Sequence, residues 1–237
     1  MVRLLKITSL LIAATVVASA QVTLPFAMFH ETPATGGLVR ESYASQFGTG
    51  ATNTLSVTIP NKPNLLLVVK FHWVWSLLTD ITFNGSSITQ LNYRSNGGYA
   101  STIWYLVNPT PGTYNLVSTV NFASDNLLAY EVYSGADQSQ PFTDDLDYWE
   151  GTASPIANSL SCAVGDSLID VATFDRSSFQ SATVYSGQGQ FYNNTTSGDA
   201  GFVSSHKAAD DVYVEMGWTL SAGATWSHVA ASVRKAP

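Results

Sequence analysis

LLLVVKFHWVW, residues 65–75, is an almost unbroken apolar run with no glycine or proline in it. A strand with one face in water alternates apolar and polar residues, whereas a strand covered on both faces has no reason to. The run is short for a helix and rich in Val and aromatic side chains, which fit a pleated, packed surface. It therefore reads as a central strand buried on both sides, and the sequence around it has to supply what covers it.

Outward from this run the pattern is strand, turn, strand. NTLSVTIP (53–60) alternates, with Leu55, Val57 and Ile59 on one face, and ITFNGSSITQL (81–91) carries the hairpin signal Asn84-Gly85. STIWYLV, PTPGTYNLVSTVNF, NLLAYEVYSG, GDSLIDVATF, DVYVEMGWTL and TWSHVAASVRK follow, separated by turn residues. In NPTPGTY, Pro109, Pro111 and Gly112 fix a tight turn, and Gly135 and Pro141 bracket a corner in YSGADQSQPF. There is no good helix of more than two turns, no βαβ unit and no short sequence repeat. The expectation is an all-β chain: a single two-sheet antiparallel jelly-roll sandwich over residues 38–237 with an extended N-terminal segment.

The order LLLVVKFHW, ITFNGSSITQL, IWYLVNPTPGTYNLVSTV, YSGADQSQPF, VGDSLIDVATF and MGWTLSAGATWSHVAASVRK resembles a set of largely uncharacterised secreted β-sandwich modules. These are concanavalin-like in outline and occur in bacterial, archaeal and phage surface proteins. The likeness covers roughly residues 50–236 and implies a sandwich fold and an extracellular or virion-surface setting. It carries over no catalytic residues. Residues 1–40 lie outside it, and TDDLDYWEG (143–151) departs from the pattern.

The first twenty residues have the layout of a signal peptide. Arg3 and Lys6 form a basic start, ITSLLIAATVV is an apolar core, and Ala18-Ser19-Ala20 is a small-x-small cleavage site before Gln21. The apolar core falls short of the ~20 residues needed to span a bilayer, so export without a retained membrane anchor is expected. Residues 21–37 then form an apolar segment and linker. Val22, Leu24, Phe26, Met28 and Phe29 are strand-like, and Pro33, Gly36 and Gly37 make a tether. A short apolar strand on a tether can add to a sheet edge of an identical subunit or fold back onto its own sandwich. Pro25 cannot donate to a ladder and must face away from the pairing edge.

Charged residues are 11% of the chain, well under the roughly 25% usual for soluble domains, and the net charge is -7. Nucleic acid is excluded as a partner, because phosphates need a basic stripe that is missing. The single Cys162 rules out a disulfide within the chain and reads as a small buried residue.

Catalytic signals are thin. His30, His72, His206 and His228 have no HxH or HExxH spacing, and His72 and His228 sit in strand contexts that suit satisfied core residues. GxSxG and P-loop motifs are lacking. Glu131 and Glu215 could act as a carboxylate pair of a glycan-active enzyme only if one sheet face presented both, and the alternation favours their pointing elsewhere. A non-catalytic protein is expected, with no cofactor. The candidate metal site is Asp144, Asp145, Asp147 and Glu150, an oxygen-rich loop suited to a structural calcium ion. The candidate glycan-binding residues are Tyr148 and Trp149 of the same loop. Phe71, Trp73 and Trp75 share one strand face, with Tyr99, Trp104 and Tyr105 further on, and core filling is the favoured reading of that row. Asn84, Asn193 and Asn194 stand in glycosylation sequons.

The function expected from these residues is that of a secreted structural protein of an extracellular surface, self-associating with identical subunits through residues 22–29. A carbohydrate-binding module is the alternative, and a glycan-active enzyme the third.

Overall fold

The computed structural model describes residues 37–143, 147–176, 181–194 and 200–237, Asp147 and Tyr148 by backbone alone. The signal segment and the strand-like Val22, Leu24, Phe26, Met28 and Phe29 lie outside the described residues.

The run that opens the sequence reading becomes strand β3 (Leu66–Val74), buried at every position. It is the middle strand of a five-stranded sheet ordered β1 (Val39–Gly48), β9 (Asn126–Ser134), β3, β7 (Tyr99–Val107) and β6 (Thr89–Asn96). One face of this sheet packs on an outer sheet ordered β2 (Thr52–Ile59), β8 (Gly112–Val120), β4 (Leu78–Phe83) and β5 (Ser86–Ser87). Alternate residues of β3, namely Leu67, Val69, Phe71 and Trp73, fill the core between them with Val57, Ile81 and Leu116.

The other face of β3 meets a second inner sheet. This sheet runs β10 (Asp147–Gly151), β17 (Trp226–Val233), β12 (Ser167–Asp175), β15 (Ala200–Ala208) and β14 (Gly189–Asn194). Leu66 and Val68 pack there against Ile169, Val171, Val229 and Ala231. Its far face is covered in turn by an outer sheet of β11 (Ile156–Ser161), β16 (Tyr213–Leu220) and β13 (Ala182–Val184), with Phe174, Trp218 and Trp226 between.

All strand pairing is antiparallel, and among the described residues there is no helix, as the all-β reading requires. The antiparallel sandwich is as expected, and its sheets number four rather than two, in two sheet pairs stacked through their inner sheets. The reason is covering: β3, β9 and β17 are buried along their full length, and two sheets alone leave each sheet one face in water. The second half also repeats the strand order of the first, sheet for sheet. In each half the chain runs inner, outer, inner, outer, returns to the inner sheet for two strands in succession, and visits the outer sheet once more before its last inner strand; the short β5 has no counterpart in the second half. The described residues all belong to one compact unit, Pro33–Pro237.

Turn chemistry follows the sequence closely. Asn84 and Gly85 adopt positive φ of 51° and 77° between β4 and β5, the left-handed pair of a tight hairpin. Asn108 and Gly112 flank the proline turn between β7 and β8.

Because the two inner sheets share a core, the halves should unfold together. A single thermal transition is expected by calorimetry, and Ile169→Ala at the shared core should lower stability by about 2–5 kcal/mol without splitting it. Two separate transitions would contradict this packing.

Candidate binding site

The inner sheets bury an unusual set of polar groups. On the face of β3 toward the second half, Lys70 and His72 replace apolar residues, and Glu131 stands on the neighbouring strand β9. All three are fully buried. The Lys70 ammonium pairs with Glu131 Oε1 and donates to Ser204 Oγ at 2.8 Å. Arg40 Nη1 reaches Glu131 Oε2 at 3.3 Å and His206 Nδ1 at 2.9 Å, and the Tyr133 hydroxyl donates to Glu131 Oε2 at 2.7 Å. Burial alone pushes the Glu131 carboxyl up, but Lys70 and then Arg40 overcome it and hold it near a pKa of about 2. Burial lowers Lys70, against the pull of Glu131.

His72 is bonded at both ring nitrogens, to Thr173 Oγ1 at 2.7 Å and to the Tyr192 hydroxyl. Burial, and after it the Lys70 charge, keep His72 well below the usual imidazole range and hence neutral. His228 faces the outer core instead, between Asn158 at 2.9 Å and Asp170 Oδ2 at 3.2 Å; Asp170 also accepts from Trp218 Nε1 at 2.9 Å and from Ser205. These groups have acid–base chemistry in kind, but they are enclosed and occupied by one another.

Glu131 and Glu215, the carboxylate pair considered from sequence, are not brought together. Glu131 is sealed between the inner sheets, and Glu215 is exposed on outer strand β16. Of the acidic stretch, Asp144, Asp145 and the side chains of Asp147 and Tyr148 lie outside the described residues. Residues 147–151 are not loop but strand β10, paired with β17. Glu150 is joined to Arg94 at 2.9 Å, and Trp149 is 53% exposed. Among the described residues no group of three His, Cys, Asp or Glu stands close enough to hold a metal. Of the aromatic row, Phe71 and Trp73 are core, as expected, but Trp75 is not. Cys162 is partly exposed rather than buried.

Trp75 begins the feature that sequence reasoning missed. It sits just past the end of β3 with φ of 57°, a left-handed conformation rare for a bulky residue, and is 60% exposed. Its ring lies against Gly98, where a Cβ would come within 2.5 Å of it, and meets Tyr99 edge-on at 5.6 Å. The loop that carries it is bonded at each residue. Trp75 N donates to Gly98 O at 2.9 Å, Ser76 O accepts from Trp73 Nε1 at 2.8 Å, and Leu77 exchanges bonds with Asn121 at 2.7 and 2.9 Å. Ser76 Oγ is 2.9 Å from Ser124 Oγ. A loop so held exposes Leu77 at 67%, and the adjoining turn exposes Phe122 at 48%. Between Trp75 and Phe122 lies an open, shallow cleft of about 320 Å³, lined also by Val74, Thr49, Ser124 and Asp125. Backbone strain kept in order to present an aromatic ring to solvent is a mark of a functional surface. The signal in the sequence was Phe122, an apolar residue inside the turn NFASD.

Comparison with protein-family models, with curated proteins and with solved structures gives no match. The likeness to concanavalin-like surface modules accordingly finds neither support nor opposition there.

Two outcomes are expected. Lys70→Met leaves Glu131 buried beside Arg40 alone and should cost about 3–5 kcal/mol in denaturant unfolding. The Glu131 carboxyl lies lower in the folded than in the unfolded chain, so its stabilisation is complete above the unfolded value. Stability should therefore fall as pH drops from 4.5 toward about 2, by roughly 3 kcal/mol from this group. Glu131→Gln should flatten that acid limb; an unchanged limb would mean that Glu131 is not held ionised.

Proposed function

We propose that this chain is an exported, non-catalytic surface protein that works by contact: one end attaches to identical subunits and the other is presented outward. The reading rests on the direction of β1. The chain enters β1 at Val39, beside Ser134, and leaves it at Gly48, beside Asn126. The Trp75 and Phe122 loops stand at the exit end, since Val74 pairs with Tyr99 and the 121–125 turn leads into Asn126. The first described residues, Gly37 and Leu38, thus lie at the end opposite the aromatic loops.

Two further features favour assembly at the entry end. Val164 and Val212, on two loops linked by Cys162 N to Val212 O at 3.0 Å, and Tyr213 at the start of β16 are 59%, 55% and 70% exposed there. Strand β1 is the edge of its sheet, with β9 on its one paired side among the described residues. An apolar strand such as 22–29 finds on such an edge the main-chain bonds it lacks alone.

The protein starting at Gln21 should form multimers by light scattering, and removal of residues 21–37 should yield monomers. Monomers with and without that segment would defeat the assembly reading.

A further inference from the structure

The cleft at the exit end has a chemistry of its own. It brings an exposed indole and a phenyl ring together with Val74, Thr49, Ser124 and Asp125. Among the described residues no lysine or arginine lines it, which gives an anionic ligand no countercharge from them. A lipid seat would be apolar throughout, whereas this open, shallow cleft sets its rings beside Thr49, Ser124 and Asp125. A pyranose ring meets both halves of the lining. Its axial C–H face is apolar and carries slight positive charge, which suits the negative face of an aromatic ring, while its equatorial hydroxyls seek oxygen partners at the rim. The loop is already bonded in its presenting shape, so little ordering cost opposes binding.

We infer that the Trp75–Phe122 cleft is a binding site for a neutral pyranose of a glycan, with Trp75 as stacking platform. This rests on the reading of the chain as an exported contact protein, and it names what the presented end would recognise. It does not use Tyr148 or Trp149.

The test is calorimetric titration of the full chain with neutral hexasaccharides of glucose, N-acetylglucosamine, mannose and galactose, and with an acidic oligogalacturonate as contrast. At least one neutral series should bind and the acidic one should not. Trp75→Gly removes the ring while relieving the left-handed strain, so its thermal transition should stay close to that of the parent. Binding should weaken by roughly tenfold or more, a change that corresponds to loss of one good stacking contact. Phe122→Ser provides a second variant on a separate turn, with the same expected loss. Failure of all four neutral series to bind, or binding that survives both substitutions, would overturn the assignment. Co-sedimentation with neutral phosphatidylcholine vesicles that is lost in Trp75→Gly would overturn it in favour of a lipid seat. Light scattering on the same samples separates the two readings, because Trp75→Gly leaves residues 21–37 and the entry end untouched. Glycan silence with intact multimers removes the cleft assignment alone, and monomers that bind glycan remove the assembly reading alone.

Discussion

Two sheets pressed face to face with another sheet on each outer side leave the central strands of the inner pair no contact with water, and this constraint orders the rest of the molecule. Every side chain on β3, β9 and β17 must find its partner inside the protein. Apolar residues do so by packing. Lys70, Glu131, His72 and Asp170 do so through polar groups of both halves: Lys70 and Glu131 meet each other, Ser204, Arg40 and Tyr133, His72 meets Thr173 and Tyr192, and Asp170 meets His228, Trp218 and Ser205. An ion pair in such a place adds little net stability over an apolar filling, but it penalises any register in which one charge is left alone. Lys70 and Glu131 sit on adjacent strands while Ser204 comes from the opposite sheet, so the pair ties the alignment of the two inner sheets to that of the strands within one of them.

Much of the strand pattern was legible in the sequence, and the part that was not has a physical cause. The run 65–75 announced a strand covered on both faces, and the Asn-Gly and proline turns fell where turn chemistry puts them. The same run already argued against a single pair of sheets, since such a strand needs covering layers above and below. What concealed the second sandwich is that strand order repeats while side chains do not. Leu66 and Val68 on β3 take the places that Ser167 and Ile169 hold on β12, and Glu131 on β9 corresponds to Ala231 on β17. Pairing of sheets is a long-range fact, and residue alternation reports only on one strand at a time.

The candidate site was harder still to foresee. Glu131 and the histidines carry chemistry-bearing side chains, and yet they are structural because the fold encloses them. Trp75 is two residues from Trp73 and so reads as the next member of one buried stripe. The chain instead turns into the left-handed region at that residue, and the ring swings out over Gly98. Alternation holds only as long as the strand does, and nothing local marks Val74 as its last residue.

The repeated strand order also means that each position at the exit end exists twice. Matching β8 to β16 and β9 to β17 aligns the turn NFASD of 121–125 with SAGAT of 221–225, so that Phe122 stands where the second half has Ala222; matching β3 to β12 sets Trp75 against Arg176. The two halves are thus alike as scaffolds and unlike in what they display. One half has small residues in its turn while the other carries the rings, and the loop that presents Trp75 is held by bonds from its own half alone among those described, to Gly98, Trp73, Asn121 and Ser124.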